Sequence, residues 1–264
     1  MAHDEAYSQA EKKIEEARRS GATELSFSFM QLIKLPDSLG SLTQLKSLDL
    51  FRNQLTELPE WISNLKQLQS LDLSANPLTA LPEWLGNLTE LQLLDISRNQ
   101  LIALPESLGN LTQLESLNLS FNYLETLPEW LGQLTQLRSL RLSYNLLTAL
   151  PDWLGQLTQL QSLDISNGLG SQLRAMEEAH YKNEIYDLPS SLAQLEHLEQ
   201  LDLSDNPLNP ELAEANKQGL PVVMAYLRAK ADGQIILNEA KLIIIGEGEV
   251  GKSCLLDALL DKPF

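Results

Sequence analysis

The chain has 264 residues, of which 36 are acidic and 19 are basic, so its formal net charge is −17. An acidic surface of this kind disfavours nucleic acid and anionic membranes, and we expect neither as a partner. The single cysteine, Cys254, excludes an internal disulfide, and no apolar run approaches the roughly 20 residues of a membrane-spanning helix.

The first predicted element is an amphipathic helix over residues 4–19. Apolar residues recur there at helical spacing and form one stripe. The residues of this stripe are Ala6, Ala10, Ile14 and Ala17. Gly21 follows as a helix stop signal, and residues 1–21 are therefore predicted to form one N-terminal helical segment.

One sequence unit repeats through the following chain with a fixed period of 23. Its asparagine occurs at Asn53, Asn76, Asn99, Asn122 and Asn145, and its proline at Pro36, Pro59, Pro82, Pro105, Pro128 and Pro151. Each unit has the spacing L-x-x-L-x-L-x-x-N-x-L, which with a period in the twenties is typical of a leucine-rich repeat. The pattern predicts about eight such units over residues 22–208.

The positions within one unit predict its local structure. Ser116–Ser120 alternates in polarity, which predicts a short strand with Leu117 and Leu119 facing the core and the polar residues facing outward. Asn122 tolerates a left-handed backbone conformation and can bond backbone groups of the turn, so that stacked asparagines are expected to form a ladder. Pro128 is expected to set an extended turn or the first position of a short helical turn.

An isolated coil leaves both of its flat sides uncovered, so the units must stack to form a continuous core. The predicted fold class is α/β: a leucine-rich-repeat solenoid with parallel strands on the concave face and short helical or extended turns on the convex face. We interpret the helix in residues 1–21 as a cap on the first coil, with a separate docking helix as the alternative. Tryptophans in one repeat column, interpreted as packing residues, are Trp61, Trp84, Trp130 and Trp153.

The strand column that precedes the turn predicts a partner-binding surface. It is acidic at Asp49, Asp72 and Asp95, and changes to Asn118 and Arg141 in the middle of the array. Aromatic residues follow these positions, and exposed aromatics on a concave sheet are typical of protein-binding surfaces. The candidate partner-binding residues are Phe51, Phe121, Tyr123, Arg141 and Tyr144. The alternative is that these aromatics are scattered surface residues without a role.

The seventh unit contains an insertion. After Leu150, the next leucine-proline pair arrives only at Leu188, a step of 38 where the period is 23, so fifteen residues are inserted near 168–187. The inserted segment is interpreted as a loop that either contacts a partner or is tolerated surface variation. The array is then predicted to end in a helical pair over residues 209–233, which begins with Asn209 as the helix cap.

Residues 238–264 have a different pattern. An apolar strand that ends at Ile245 runs into GEGEVGKS, which matches G-x-x-x-x-G-K-[ST] in the strand–loop–helix context of a phosphate-binding loop. The glycines let the backbone wrap closely around phosphate, Lys252 would reach the β- and γ-phosphates, and Ser253 would ligate Mg²⁺. The candidate nucleotide-binding residues are Gly246, Gly248, Glu249, Val250, Gly251, Lys252, Ser253 and Cys254.

Only twelve residues follow Lys252, whereas domains rarely contain fewer than about 50 residues. We therefore expect residues 238–264 to be the start of a longer nucleotide-binding domain. The 264 residues alone are expected to bind no nucleotide and to contain no catalytic residue. These residues do not by themselves distinguish GTP from ATP.

Leucine-rich units, a helical pair and then a GEGEVGKS loop, in this order, resemble the Roco family, with its repeats, Ras-like Roc GTPase domain and dimerising COR domain. Innate-immune NTPases with leucine-rich repeats usually place the NTPase first. The resemblance implies GTP, GDP and Mg²⁺ as ligands of a longer protein that hydrolyses GTP. It also implies a homodimer formed through absent domains, and in some relatives a kinase domain. The repeats would then bind a protein partner or the parent's own Roc-COR domains.

Two alternatives to a Roco-like protein are left open. One is a stand-alone leucine-rich-repeat binding module whose tail only resembles a phosphate-binding loop, and the other is an ATPase of another phosphate-binding-loop class. Extracellular leucine-rich arrays usually have disulfide-stapled ends, so the single cysteine of this chain predicts a cytoplasmic protein.

Overall fold

The computed structural model describes residues 2–167 and 182–233, and in these ranges it contains one parallel sheet whose eight strands follow chain order. The strands are β1 (Glu24–Ser26), β2 (Ser47–Asp49), β3 (Ser70–Asp72), β4 (Leu93–Asp95), β5 (Ser116–Asn118), β6 (Ser139–Arg141), β7 (Ser162–Asp164) and β8 (Gln200–Asp202). Each strand pairs with the next one, so the predicted solenoid of parallel strands is confirmed. No helix in the described ranges is long and apolar enough to cross a membrane.

The strands contain only three residues each, and stacking between coils explains their stability. Leu94 of β4 lies opposite Leu117 of β5, which lies opposite Leu140 of β6, and all three side chains are buried. Each buried leucine contributes about 2 kcal/mol through the apolar surface that it removes from water. Ser120 is buried between neighbouring coils, and its hydroxyl accepts a hydrogen bond from Ser143 Oγ at 2.9 Å.

The other side of each of the first seven coils contains a short 3₁₀ helix. These helices are Asp37–Ser41, Glu60–Asn64, Glu83–Asn87, Glu106–Asn110, Glu129–Gln133, Asp152–Gln156 and Ser190–Gln194. Pro128 precedes its helix with an extended backbone (φ −71°, ψ 149°), and Leu131 N donates to the Pro128 carbonyl. Of the two expectations for this proline, the extended turn is therefore the correct one.

The asparagine ladder is present in the core. Asn122 Nδ2 donates to the carbonyls of Leu119 in its own coil and Ile96 in the preceding coil, both at 3.0 Å, and its Oδ1 accepts from Leu101 N at 3.1 Å. The left-handed conformation that Asn122 would tolerate is adopted by the residue before it, Phe121, whose φ is 57°. The turn thus reverses one residue earlier, which directs the asparagine side chain inward.

The ladder continues across the insertion through Asn183. Asn183 Oδ1 accepts from Leu147 N at 3.1 Å, and its Nδ2 donates to the carbonyls of Leu142 and Ile165. The step from Asn145 to Asn183 is 38, whereas the step from Asn183 to Asn206 is the regular 23, so the extra residues lie directly before Asn183 in the sequence. Residues 168–181, which contain most of the predicted insertion, lie outside the described ranges.

The N-terminal helix α1 (Ala2–Ser20) packs on the first coil. Ala10, Ile14 and Ala17 are buried, and Lys13 Nζ donates to the Ser26 carbonyl of β1 at 2.8 Å. The helix ends before Gly21, whose φ of 65° is in the left-handed region that favours glycine. This packing covers the apolar end of the array.

The array is followed by α2 (Pro210–Gln218) and α3 (Leu220–Ala231). Asn209 caps α2 by accepting from Leu212 N at 2.8 Å, as predicted. Lys230 of α3 forms an ion pair with Asp187 at 2.5 Å, and Tyr226 donates to the same carboxylate. Burial favours a raised pKa for Asp187, but the hydrogen bonds outweigh burial and lower this pKa. The helical pair is therefore tied to the coil that follows the insertion.

The spacing between coils on the helix side depends on one repeat column. Tryptophans in this column are Trp61, Trp84, Trp130 and Trp153, and serines occupy it at Ser38, Ser107 and Ser191. All four indoles pack against the core, which confirms their predicted packing role. Where the next coil has serine, the backbones approach closely: a methyl group added to Gly86 would lie 2.1 Å from the Ser107 carbonyl oxygen. Beside a tryptophan, the equivalent methyl group on Gly109 would lie 3.3 Å from Trp130 Cβ.

Candidate partner-binding surface

The acidic column on the sheet has a structural role that the sequence analysis did not predict. Asp49, Asp72 and Asp95 each end a strand, and each Oδ1 accepts the backbone N–H two residues later at 2.8 to 2.9 Å. Asn118 makes the same bond to Ser120 N at 3.1 Å. The column therefore holds the turns in place through local side-chain-to-backbone bonds, in addition to giving the sheet its acidic character.

Stacking of these carboxylates has an electrostatic cost. Burial raises the pKa of Asp72, and the charges of Asp95 and Asp49 raise it further, against hydrogen bonds from Ser74 that lower it. The ionised form of Asp72 is thus disfavoured in the folded state. In the next coil the repulsion is reduced, because Asn118 Nδ2 donates to Asp95 Oδ2 at 2.9 Å.

We expect Asp72→Asn to raise the thermal midpoint at pH 7, because asparagine keeps the bond to Ser74 N, as Asn118 does for Ser120, and removes the repelling charge. A raised carboxyl pKa destabilises the fold above that pKa, and the penalty disappears as the pH falls towards the unfolded value of about 3.9. The advantage of the variant should therefore shrink between pH 7 and pH 4. Thermal unfolding followed by circular dichroism across this range measures it.

The control for this prediction is Asp202→Asn, at the exposed end of the same column. Water screens this carboxylate, so its replacement should change the thermal midpoint less at every pH. An equal gain in both variants, or a gain for Asp72→Asn that does not depend on pH, would contradict the assignment of repulsion to Asp72.

A second column lies at the edge of the sheet, immediately before each ladder position. Its members with positive φ are Phe29, Arg52, Ala75, Arg98, Phe121, Tyr144 and Asp205. Because equivalent residues stack from coil to coil, their side chains contact one another. The ring of Phe121 stacks on that of Tyr144 with centroids 4.4 Å apart, and the Arg98 guanidinium lies over the Phe121 ring, 4.2 Å from its centroid. The Arg52 guanidinium lies 5.4 Å from the Phe29 ring.

Ala75 interrupts this column between two arginines and leaves a groove, which we call the Ala75 notch. Its volume is about 820 Å³. The residues that define it are Phe51, Arg52, Ala75, Pro77, Arg98, Phe121 and Tyr123. Both arginine side chains are exposed, and the aromatic rings are half-buried around them. The notch therefore combines two cations with an apolar floor.

The structure separates the five predicted partner-binding residues. Phe51, Phe121 and Tyr123 line the Ala75 notch, whereas Arg141 is exposed on β6 and lines another depression, formed with β7 and β8. Tyr144 was expected to be exposed, and this expectation is wrong: only 3% of its surface is accessible, because its ring packs under Phe121. The aromatics also lie beyond the strand ends, at the sheet edge, and not on the sheet face. A role of these residues in partner binding stays a prediction.

Sequence analysis did not identify Arg52, Ala75 and Arg98. The signal was present, since these residues occupy one column at intervals of 23. The column could not be interpreted from the sequence, because it is the left-handed turn that brings these side chains towards each other along the edge of the sheet. The predicted nucleotide-binding residues, Gly246 to Cys254, lie outside the described ranges. In the described ranges, no group of three or more histidine, cysteine or acidic residues is arranged to hold a metal ion.

Comparison with known proteins identifies the repeat array. Residues 30–180 match the family of leucine-rich repeat regions. Mouse leucine-rich repeat serine/threonine-protein kinase 1 is 33% identical over 89 residues, which are 33% of this chain and 4% of the kinase. A leucine-rich repeat protein of Leptospira interrogans is similar in structure with a TM-score of 0.69 and 33% identity, over 79% of this chain and 50% of that one.

A receptor kinase whose structure contains bound partners is also similar in structure. The Arabidopsis receptor kinase HAESA, in complex with a peptide hormone and a co-receptor, has a TM-score of 0.56 and 32% identity over 75% of this chain and 37% of its own. The present chain thus spans half or less of each of these proteins. Since the family match covers more than half of the chain, this protein belongs to the leucine-rich repeat family, and its repeats form a protein-interaction module.

Proposed function

We propose that this chain is the protein-binding and regulatory arm of a GTP-binding, Roco-like protein. The observation that carries the proposal is the order of its parts: a leucine-rich array, a helical pair tied to the last coils, and then the GEGEVGKS loop. In this arrangement the array recruits a protein, or the parent's own Roc-COR domains, next to the nucleotide-binding domain. The longer protein binds GTP and GDP with Mg²⁺ and hydrolyses GTP in the cytoplasm.

The proposed protein-binding role is supported by the surface of the described residues. The sheet face and the adjoining Ala75 notch present charged and aromatic side chains on a rigid backbone, which limits the entropy lost when a partner binds. The HAESA structure supports this use of a similar array, because HAESA is in complex with a peptide hormone and a co-receptor. The net charge of −17 favours a protein partner over a nucleic acid.

The proposed nucleotide binding is supported by the sequence. Gly246, Gly251, Lys252 and Ser253 match the Ras-type loop of the Roco pattern. The mouse relative is a leucine-rich repeat kinase, and some members of the Roco family continue into a kinase domain. Guanine specificity would come from residues beyond the present chain.

The decisive experiment extends the chain through the codons that follow residue 264 by about 150 residues, the size of a complete domain. We expect this longer protein to bind GTP and GDP in calorimetry with Mg²⁺ and to hydrolyse GTP slowly. Lys252→Ala should abolish binding, because it removes the cation that faces the β- and γ-phosphates. The 264-residue chain should bind GTP negligibly.

Each alternative has a distinct outcome in this experiment. An immediate stop codon identifies a stand-alone repeat module, and a nucleotide domain that prefers ATP identifies an ATPase of another class. Micromolar GTP affinity in the 264-residue chain contradicts the expected incompleteness of residues 238–264. Unchanged affinity in the longer Lys252→Ala protein removes Lys252 from the site.

A further inference from the structure

We infer that the Ala75 notch binds an acidic, extended segment of a partner protein through two carboxylates, one on Arg52 and one on Arg98. This inference rests on the proposed protein-binding function and adds the chemistry of the partner. It concerns the edge of the sheet, whereas the acidic column of the sheet face would attract a basic partner. The two surfaces therefore make opposite predictions for the charge of the ligand.

The two guanidinium groups are oriented but not neutralised. The Phe29 ring lies beside Arg52 and the Phe121 ring beside Arg98, so each planar cation rests against a ring face or edge while its N–H groups remain available. The ion pairs between described residues use other cations, namely Arg18, Arg19, Arg138, Lys217 and Lys230. Arg52 and Arg98 are exposed and form no ion pair with a carboxylate of the described residues.

The backbone conformation adds to this argument. Arg52 and Arg98 have φ values of 53° and 55°, in a region where glycine or asparagine is more stable than a long side chain. Glycine there would relieve the backbone but remove the cation. The same left-handed φ occurs at Phe29, Ala75 and Phe121, so this turn is common to the column and places the arginine side chains along the same edge as the aromatic rings.

The spacing between Arg52 and Arg98 indicates the conformation and sequence of the peptide that fits them. Arg52 and Arg98 occupy the same repeat column two coils apart, and strands of neighbouring coils lie about 4.8 Å apart, so the backbones of the two arginines are separated by about 10 Å. A peptide in the extended polyproline II conformation has three residues per turn and rises about 3.1 Å per residue, so its side chains three residues apart point to the same side about 9 Å from each other. A Glu-x-x-Glu segment therefore places one carboxylate at each arginine, where guanidinium and carboxylate match in geometry. Its middle residues would lie over Ala75 and Pro77.

The acidic column restricts such a ligand to the edge. Asp49, Asp72 and Asp95 lie three residues before Arg52, Ala75 and Arg98, respectively, on the adjacent sheet face. They use Oδ1 to hold the turn amides. Their charges repel a second row of carboxylates, so an acidic segment that binds the arginines is kept off the sheet face.

The test uses the full 264-residue chain, isotope-labelled for NMR, and three acetylated peptides. The peptides contain Glu-Ala-Leu-Glu, Gln-Ala-Leu-Gln or Lys-Ala-Leu-Lys and are otherwise identical. We expect the glutamate peptide alone to shift the side-chain N–H signals of Arg52 and Arg98 in a saturable manner, with an affinity that falls as salt is added. The double variant Arg52→Gln/Arg98→Gln should lower this affinity by about tenfold or more.

Two further variants make the result specific. Arg138→Gln is the matched control, because Arg138 is an exposed arginine that already pairs with Glu115 at 3.5 Å, and its loss should leave binding unchanged. Ala75→Glu keeps both arginines and places a carboxylate between them, so it should block the glutamate peptide. Circular dichroism spectra that match the parent protein exclude a folding defect in each variant.

Several outcomes overturn the inference. They are equal binding of the glutamine peptide, unchanged binding in the double variant, and no saturable shift with any peptide. Binding of the lysine peptide with shifts at Asp49 and Asp72 also overturns it, but keeps the protein-binding function and assigns it to the sheet face. Failure of the GTP experiment leaves these peptide results unaffected, so the two proposals can fail separately.

Discussion

Gly86→Ala should lower the free energy of unfolding by about 3 kcal/mol, at the upper end of what overpacking usually costs. The added methyl group would lie 2.1 Å from the carbonyl oxygen of Ser107 and 2.6 Å from its carbonyl carbon. These are backbone atoms, so a rotamer change cannot relieve the clash. The two coils must instead separate, which opens the leucine core between them. Urea denaturation followed by circular dichroism measures the loss.

Gly109→Ala is the matched control, one coil further along the same column. Its nearest neighbour is Trp130 Cβ at 3.3 Å, a contact that a shift of a few tenths of an ångström relieves. The control should therefore lower stability much less than Gly86→Ala. Similar losses in the two variants would mean that the close approach at Ser107 does not set the spacing of these coils.

The repeat period was sufficient to predict the fold. Leucines at fixed positions in a repeated unit can all be buried only if the units stack, so the parallel order of β1–β8 follows from the period. The terminal helices were also predictable, because Gly21 and Asn209 carry local stop and cap signals. These features depend on one residue type at one position, which a single sequence displays directly.

The backbone conformation of one repeat column depends on the side chain of the next column, and this dependence could not be predicted from the sequence. The left-handed position is occupied by Arg52, Ala75, Phe121 and Tyr144, none of which favours positive φ, so no residue type marks it. The residue before each ladder asparagine adopts a positive φ because the asparagine side chain points into the core. Asn183 was also missed, although it lies the regular 23 residues before Asn206, and its hydrogen bonds identify it as a member of the ladder.

The candidate site was predicted in part. Phe51, Phe121 and Tyr123 were selected as exposed aromatics, and the structure places them in one groove. Tyr144 was selected on the same ground but is buried, because a stacked ring one coil earlier covers it. Exposure of an aromatic in a repeat column thus depends on the equivalent residue of the adjacent coil, and the same neighbour relation places Arg98 against Phe121.

Asn122→Ala should lower the free energy of unfolding by about 3 kcal/mol, because its bonds are in a site where water cannot replace them. Asn122 is 1% exposed. Without it, Leu101 N loses its acceptor, while the Ile96 carbonyl keeps one donor from Asn99 and the Leu119 carbonyl keeps one from Asn145. The expected loss of stability is therefore that of one backbone amide without an acceptor and of two carbonyls that each lose one of their donors.

Asn206→Ala tests whether burial of the ladder asparagine sets this cost. Asn206 makes equivalent bonds to Ile165, Leu203 and Ile185, but it is half-buried in the last coil, where water can reach the released groups. Its replacement should lower the free energy of unfolding by about 1 kcal/mol. Equal losses in the two variants would show that the cost comes from the hydrogen bonds themselves. A small loss in both would show that the stacked leucines hold the turns without the ladder.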